Sequence, residues 1–283
     1  MRWQGGRRGG NIEDRRGMGA AVGGGGIGLA ILGLIGYVFF GIDPSTTTQV
    51  ASSLGAASQQ EGERGTPSDQ AAQFVDVIET NAAQVWEQQF ARNGGTWRPP
   101  AAVVLYTGGT GTGCGFGQAA MGPFYCPADQ KVYLDLTFWD VMANQLGARG
   151  DFAQAYVIAH EIGHHVQTLT GASAQMQRAQ QAARSQAEAN QYSVALELQA
   201  DCYAGVWAAN AARVSGGEVA LEAGDIEEGM NAAAAVGDDA LQGRGGSVSP
   251  ESFTHGSSEQ RMQWLRRGYQ SGDMAACDTG LGG

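Results

Sequence analysis

The chain has 283 residues, 45 of them glycine, with 16% charged residues, 43% hydrophobic residues and a formal net charge of −11. That hydrophobic share supports a folded core and excludes wholesale disorder, and the glycines follow no three-residue period that would mark a collagen. The acid excess argues against a general nucleic-acid binder, which has to neutralise phosphates.

In chain order, residues 1–17 carry Arg2, Arg7, Arg8, Arg15 and Arg16 against Glu13 and Asp14, and read as a basic leader. Residues 18–42 hold no charged side chain, and Leu29, Ile31, Leu32, Leu34, Ile35, Val38 and Phe39 make their second half apolar. As a helix this stretch is long enough to cross about 30 Å of hydrocarbon. Arginines precede it and acidic sequence follows. The positive-inside rule therefore keeps the N-terminus in the cytoplasm and sends the remainder outside, as a single-pass protein of the bacterial cell membrane with its main domain periplasmic or extracellular. Two other readings stand beside it. A cleaved signal peptide is disfavoured by the long leader and the lack of a small-x-small site, and a buried core helix leaves the charge asymmetry unexplained. Residues 43–70, rich in Ser, Thr, Gln, Gly and Pro, read as a flexible linker to a domain over 71–283.

Ser68 and Asp69 can cap a helix whose apolar positions Phe74, Ile78, Val85 and Trp86 recur through about Ala91. Pro99 and Pro100 end that region, and Ala101–Tyr106 reads as a buried strand. The glycine-rich run 107–115 lacks the Gly-Lys-Ser/Thr of a phosphate loop and reads as a flexible loop stapled at Cys114. Lys131–Leu136 alternates as a strand, and Phe138–Leu146 reads as a short helix. A strong helix follows over Phe152–Thr168, stopped by Gly171, then a polar arm over Ala172–Ala189 and a helix over Tyr192–Ala211. Glu218–Leu241 is helical with interruptions, and Ser258–Tyr269 is the last helix. The class is α+β, mostly helical with a small sheet, preceded by one transmembrane helix. The four cysteines allow three pairings, and two disulfides fit an exported domain. Cys114–Cys126, closing a short loop, and Cys202–Cys277, tying the tail to a helix, are favoured.

The chemistry is concentrated in one string. His160 and His164 stand four apart and project from one helix face, a spacing that lets two imidazoles hold one zinc ion. Glu161 lies beside them, placed to take the proton of a zinc-activated water. Three of the four histidines fall within residues 160–165; His165 points off the ligand face and reads as a packing residue. Zinc needs a third ligand and an open position. Glu197 and Asp201, also four apart, supply a ligand and a carboxylate that orients a ligand histidine through its free N–H. No H-E-x-x-H-x-x-G-x-x-H continuation follows, which excludes a metzincin. His255, before a helix, suits a donor to a developing oxyanion, with Arg261 assisting or orienting it.

These stretches resemble the bacterial neutral zinc metallopeptidase family of membrane-anchored proteins. The likeness runs through Asn11–Gly17, Met121–Tyr133, the His160–His165 region, Glu197–Trp207 and Phe253–Tyr269. The metal pattern is also similar to glutamate-type zincins, including membrane peptidases that cleave near prenylated or misfolded proteins. In those, H-E-x-x-H is followed by E-x-x-x-D and a later His-x5-Arg, here His160, Glu161, His164, Glu197, Asp201, His255 and Arg261; Gly256 follows His255 where those peptidases commonly carry proline. The resemblance implies a zincin-like fold, one zinc ion, and a protein or peptide substrate. It also implies an edge strand above the metal helix that takes up an extended peptide, with Lys131–Leu136 as the candidate. The reading is an anchored zinc endopeptidase that binds no nucleic acid. A non-catalytic envelope scaffold, with zinc closed off by His255, and a zinc hydrolase of a non-peptide amide are the alternatives.

Overall fold

The computed structural model describes residues 1–17 and 62–280. The span expected at 18–42 lies outside the described residues, as does most of the linker. No helix among the described residues is long and apolar enough to cross a membrane.

Five strands make the main sheet: β1 Ile12–Asp14, β2 Glu63–Gly65, β3 Ala102–Tyr106, β6 Phe124–Cys126 and β7 Lys131–Asp135, in the order β2-β1-β3-β7-β6. The inner strands β1, β3 and β7 run parallel, and β2 and β6 are antiparallel edges. All five residues of β3 are buried. Its side chains alternate between two cores, Val103 and Leu105 joining the large helical one, Ala102, Val104 and Tyr106 a smaller one on the other face. Burial on both faces is why this strand reads as an unbroken apolar run.

The glycine-rich run departs from the expected loop. Gly109–Thr112 (β4) and Gly115–Gln118 (β5) pair as an antiparallel hairpin, with Cys114 at its turn bonded to Cys126 on β6. The alternating pattern of a strand is hidden there because most positions are glycine or threonine and carry no hydropathy signal.

The first helix, α1 (Gln70–Arg92), is capped by Asp69, whose side chain accepts Ala72 N–H at 3.0 Å. The expected linker thus ends earlier than residue 70. After α2 (Phe138–Val141) come α3 (Asp151–Thr170), α4 (Ala172–Ala182) and α5 (Gln186–Val214). The polar arm stops at Ala182 rather than Ala189, because Ser185 caps the next helix by accepting Glu188 N–H at 3.1 Å. Three more helices complete the body: α6 (Asp225–Ala235), α7 (Asp238–Gly243) and α8 (Ser258–Ser271). Between α1 and α5 sit Trp86 and Trp207, both fully buried; Trp207 Nε1 donates to Asn81 Oδ1 at 2.8 Å. Helices α5 and α8 meet backbone to backbone. A Cβ on Gly268 would collide with the Cys202 carbonyl, and one on Gly205 with the Leu265 carbonyl. Beside this crossing, Cys202 is bonded to Cys277 in the tail.

The basic leader is not separate from the domain, as its expected cytoplasmic position requires. β1 is an inner strand, paired with β3 from Ile12↔Val103 to Asp14↔Leu105. Gly9 and Gly10 N–H both donate to Asp76 on α1, and Asn11 Nδ2 donates to Glu79 Oε1 at 2.9 Å. Trp3 meets Phe74 edge-on, and the α-amino group of Met1 lies 2.6 Å from Asp151. The charge count behind the positive-inside reading treats the arginines as free. Two are not: buried Arg15 pairs with Glu13, and Arg16 with Asp14 and Asp69.

Candidate metal centre

Helix α3 carries His160, Glu161 and His164, and α5 carries Glu197 and Asp201 across from them. The facing ligand atoms of His160, His164 and Glu197 all lie within 4.8 Å of one another. His160 Nε2 is 3.2 Å from Glu197 Oε2, and His164 Nε2 is 3.5 Å from Glu197 Oε1. Ligands about 2.0–2.1 Å from a tetrahedral zinc ion stand about 3.3 Å apart, so the donor set and its spacing both fit that metal. The electrostatics agree. Burial opposes a charge on His160, yet Asp201 and Glu197 outweigh it and push the imidazole pKa up to about 10. Burial likewise opposes ionisation of Glu197, and His164 and His160 overcome it and hold the carboxyl well below its usual range. A field that favours a proton at these atoms favours a divalent cation there, which competes for the same lone pairs.

Asp201 is fully buried and accepts four hydrogen bonds from three residues. Its Oδ1 accepts from His160 Nδ1 at 2.8 Å, Tyr156 hydroxyl at 2.6 Å and Arg261 Nη2 at 3.0 Å, and its Oδ2 accepts from Arg261 Nε at 2.8 Å. A carboxylate accepts only, so His160 carries its hydrogen on Nδ1 and turns the Nε2 lone pair to the site. Arg261, expected to assist or orient His255, is forked onto Asp201 and lies 3.7 Å from Glu197 Oε2. Glu161 is buried and, among the described residues, has no ion-pair partner of its own. Burial raises its carboxyl above the ordinary range, against the pull of His164 and His160.

His255 is not one of the three-ligand group, though it lies near enough for its charge to act on Glu197. Asp238 organises its loop: Oδ2 accepts the backbone N–H of Thr254, His255 and Gly256 at 2.7, 2.6 and 3.0 Å, and Oδ1 lies 3.2 Å from His255 Nδ1. That contact leaves His255 Nε2 unengaged by Asp238. Gly256 has φ of +90° and donates its N–H to Asp238, and proline can do neither. This explains the glycine in place of the commoner proline.

His165 is a fully buried brace. Its Nε2 donates to the Arg98 carbonyl at 2.7 Å and its Nδ1 accepts from Tyr125 hydroxyl at 3.0 Å, tying α3 to β6. The strand beside the metal helix with an unpaired edge is therefore β6. Lys131–Leu136, expected in that role, is β7, which is paired on both sides and cannot take up another strand.

Three residues of the site lie outside the sequence reading. Tyr156 and Gln167 continue the ridge of His160 and His164, four before and three after, and helical spacing alone could have nominated them. Asp238 lies 17 residues from His255 and carries no local signal. A second group, Asp151, Asp225 and Glu228, also brings carboxylates together, but the α-amino group of Met1 already sits among them and no histidine joins it.

Residues 1–280 match the model of a family described as "Putative neutral zinc metallopeptidase". The "Uncharacterized protein YpfJ" of Escherichia coli (strain K12) is 48% identical over 99% of this chain and 98% of its own length. The "Uncharacterized protein Rv2575" of Mycobacterium tuberculosis (strain H37Rv) is 49% identical over 62% of this chain and 60% of its own length. No solved structure matches the chain. The chain belongs to the zinc metallopeptidase family so described.

Proposed function

We propose that the protein is a zinc-dependent endopeptidase. The observation that carries this reading is the convergence of His160, His164 and Glu197, both imidazoles standing at near-tetrahedral spacing from the Glu197 carboxylate, with Glu161 next to His160 in the chain. Zinc, when bound, supplies a Lewis acid that lowers the pKa of a water molecule. The chain supplies the rest. Glu161 accepts the proton of the attacking water and returns it to the leaving amine, and its burial raises its basicity toward that task. Asp201, held by Arg261 and Tyr156, keeps His160 oriented. His255, in the imidazolium form that Asp238 favours, offers its Nε2 hydrogen to the oxygen of the scissile carbonyl as charge develops there. The edge of β6 takes up the extended substrate by strand addition. The three-ligand set supports an open fourth position, and hence catalysis over a structural zinc closed off by His255.

Membrane association is part of the proposal. It rests on the uncharged run 18–42, and the docking of the leader constrains it: both flanks of that run belong to one folded body.

The test is a comparison of wild type with Glu161→Gln. The variant is expected to retain one zinc per chain and to lose turnover of a diverse peptide library by at least a hundredfold. Peptide turnover by the variant at the wild-type rate would sink the assignment.

A further inference from the structure

The two ligand imidazoles are held differently. His160 leans on a carboxylate, whereas His164 leans on a neutral amide, with Gln167 Oε1 2.9 Å from its Nδ1. A carboxylate can only accept. An amide can present either end, its oxygen to a ring N–H or its nitrogen to a ring lone pair. Which end faces His164 decides which ring nitrogen carries the hydrogen. It therefore decides whether Nε2, the nitrogen turned toward Glu197, keeps the lone pair that a metal needs.

Backbone carbonyls fix the choice. The nitrogen end of Gln167 lies 2.7 Å from the Leu196 carbonyl and 3.1 Å from Gln199 Oε1. A carbonyl accepts and never donates, so the end of Gln167 facing Leu196 is its NH2. Gln199 is pinned the same way, since its Nε2 donates to the Cys277 carbonyl at 3.1 Å. Reversing Gln167 would set its oxygen against two acceptor oxygens and its NH2 against His164. Gln167 and Gln199 are both nearly fully buried, so no solvent would relieve that clash. Cys277 is itself bonded to Cys202, the residue after Asp201. The supports of both imidazoles thus end at one disulfide.

We propose that Gln167 is a positioning residue. Its amide, oriented by the Leu196 carbonyl and by a relay through Gln199 to the disulfide-held Cys277 carbonyl, keeps His164 in the Nδ1–H tautomer and so sets the affinity of the site for zinc. This rests on the zinc reading of the site.

The test uses the full chain, with Gln167→Met, Gln199→Met and wild type compared by zinc competition against a chelator and by the visible spectrum of the Co(II)-substituted protein. Thermal midpoints in excess chelator report the fold separately. Gln167→Met is expected to bind zinc about tenfold to a hundredfold more weakly, with a shifted cobalt band. Gln199→Met, one amide further from the ion, is expected to fall between it and wild type, and it remains informative if Gln167→Met does not fold. Wild-type zinc affinity in both variants would overturn the relay and leave the zinc reading standing. Failure of wild type itself to hold zinc would overturn both.

Discussion

At the scale of single residues, the candidate centre depends on groups outside its three ligands. Asp201 takes no place among the three ligands, yet it is the only described acceptor of His160 Nδ1 and the carboxylate that neutralises buried Arg261. Asp201→Asn preserves the shape and removes the charge. Its amide can accept from His160 or from Arg261 at one end only, and its NH2 end then faces a donor. The buried guanidinium loses its nearer counter-charge and keeps only Glu197 at 3.7 Å, a change that costs about 3 kcal/mol. Zinc affinity is expected to drop by about tenfold to a hundredfold, since the hydrogen bond that orients His160 is lost or weakened. Denaturant titration in the presence of chelator reads the first effect, and chelator competition reads the second. Tyr156→Phe is the control. It removes one of the four donors to Asp201 without unbalancing charge, and about 1 kcal/mol is expected. A variant Asp201→Asn as stable and as zinc-avid as wild type would refute this account of the pair.

At the scale of elements, the site depends on how closely α5 and α8 approach. Arg261 reaches Asp201 because Gly205 and Gly268 let the two helices touch through their backbones. Gly268→Ala has nowhere to put its methyl but against the Cys202 carbonyl, and overpacking of this kind costs about 1–3 kcal/mol. The helices are expected to separate, lowering the denaturation midpoint and weakening zinc binding together. Gly5→Ala, where nothing lies within 4 Å, is expected to stay within about 0.5 kcal/mol of wild type. The same contrast explains what could be read in advance. The metal helix was legible because four-residue spacing of rare side chains is a local signal. So were β3 and β7, through their apolar run and alternation, and both disulfides pair as favoured. The β4–β5 hairpin was illegible because glycine and threonine hide a strand's alternation. The free edge of the sheet was misassigned for another reason: whether a strand is inner or edge depends on its neighbours. β6 is three residues long and gives no pattern of its own. Asp238 and the turn of Arg261 toward Asp201 are tertiary facts with no counterpart in spacing.

At the scale of the whole molecule, the leader decides the topology. Asp14 pairs with Glu63, and Gly62 N–H donates to buried Glu13 at 3.1 Å. The two described flanks of residues 18–61 therefore lie together at the same margin of the sheet. Lys131 and Arg64 also close on Glu13, so undocking β1 would expose a buried carboxylate and strip β3 of one of its two neighbours. A leader on one side of a membrane and the rest of the folded body on the other is incompatible with that arrangement. Charge alone favours the separated form, but two of the five arginines are spent on internal pairs, which weakens that preference. The docked form predicts that positions in the leader and in the domain share one side. Gly5 and Glu87 are exposed, and the native cysteines are paired, so Gly5→Cys and Glu87→Cys each introduce a single free thiol. A membrane-impermeant maleimide added to intact cells is expected to label both variants or neither, with lysis making both reactive in the second case. Labelling of one in intact cells and of the other only after lysis would mean that β1 leaves the sheet in the anchored protein, and that the leader obeys its arginines rather than its strand pairing.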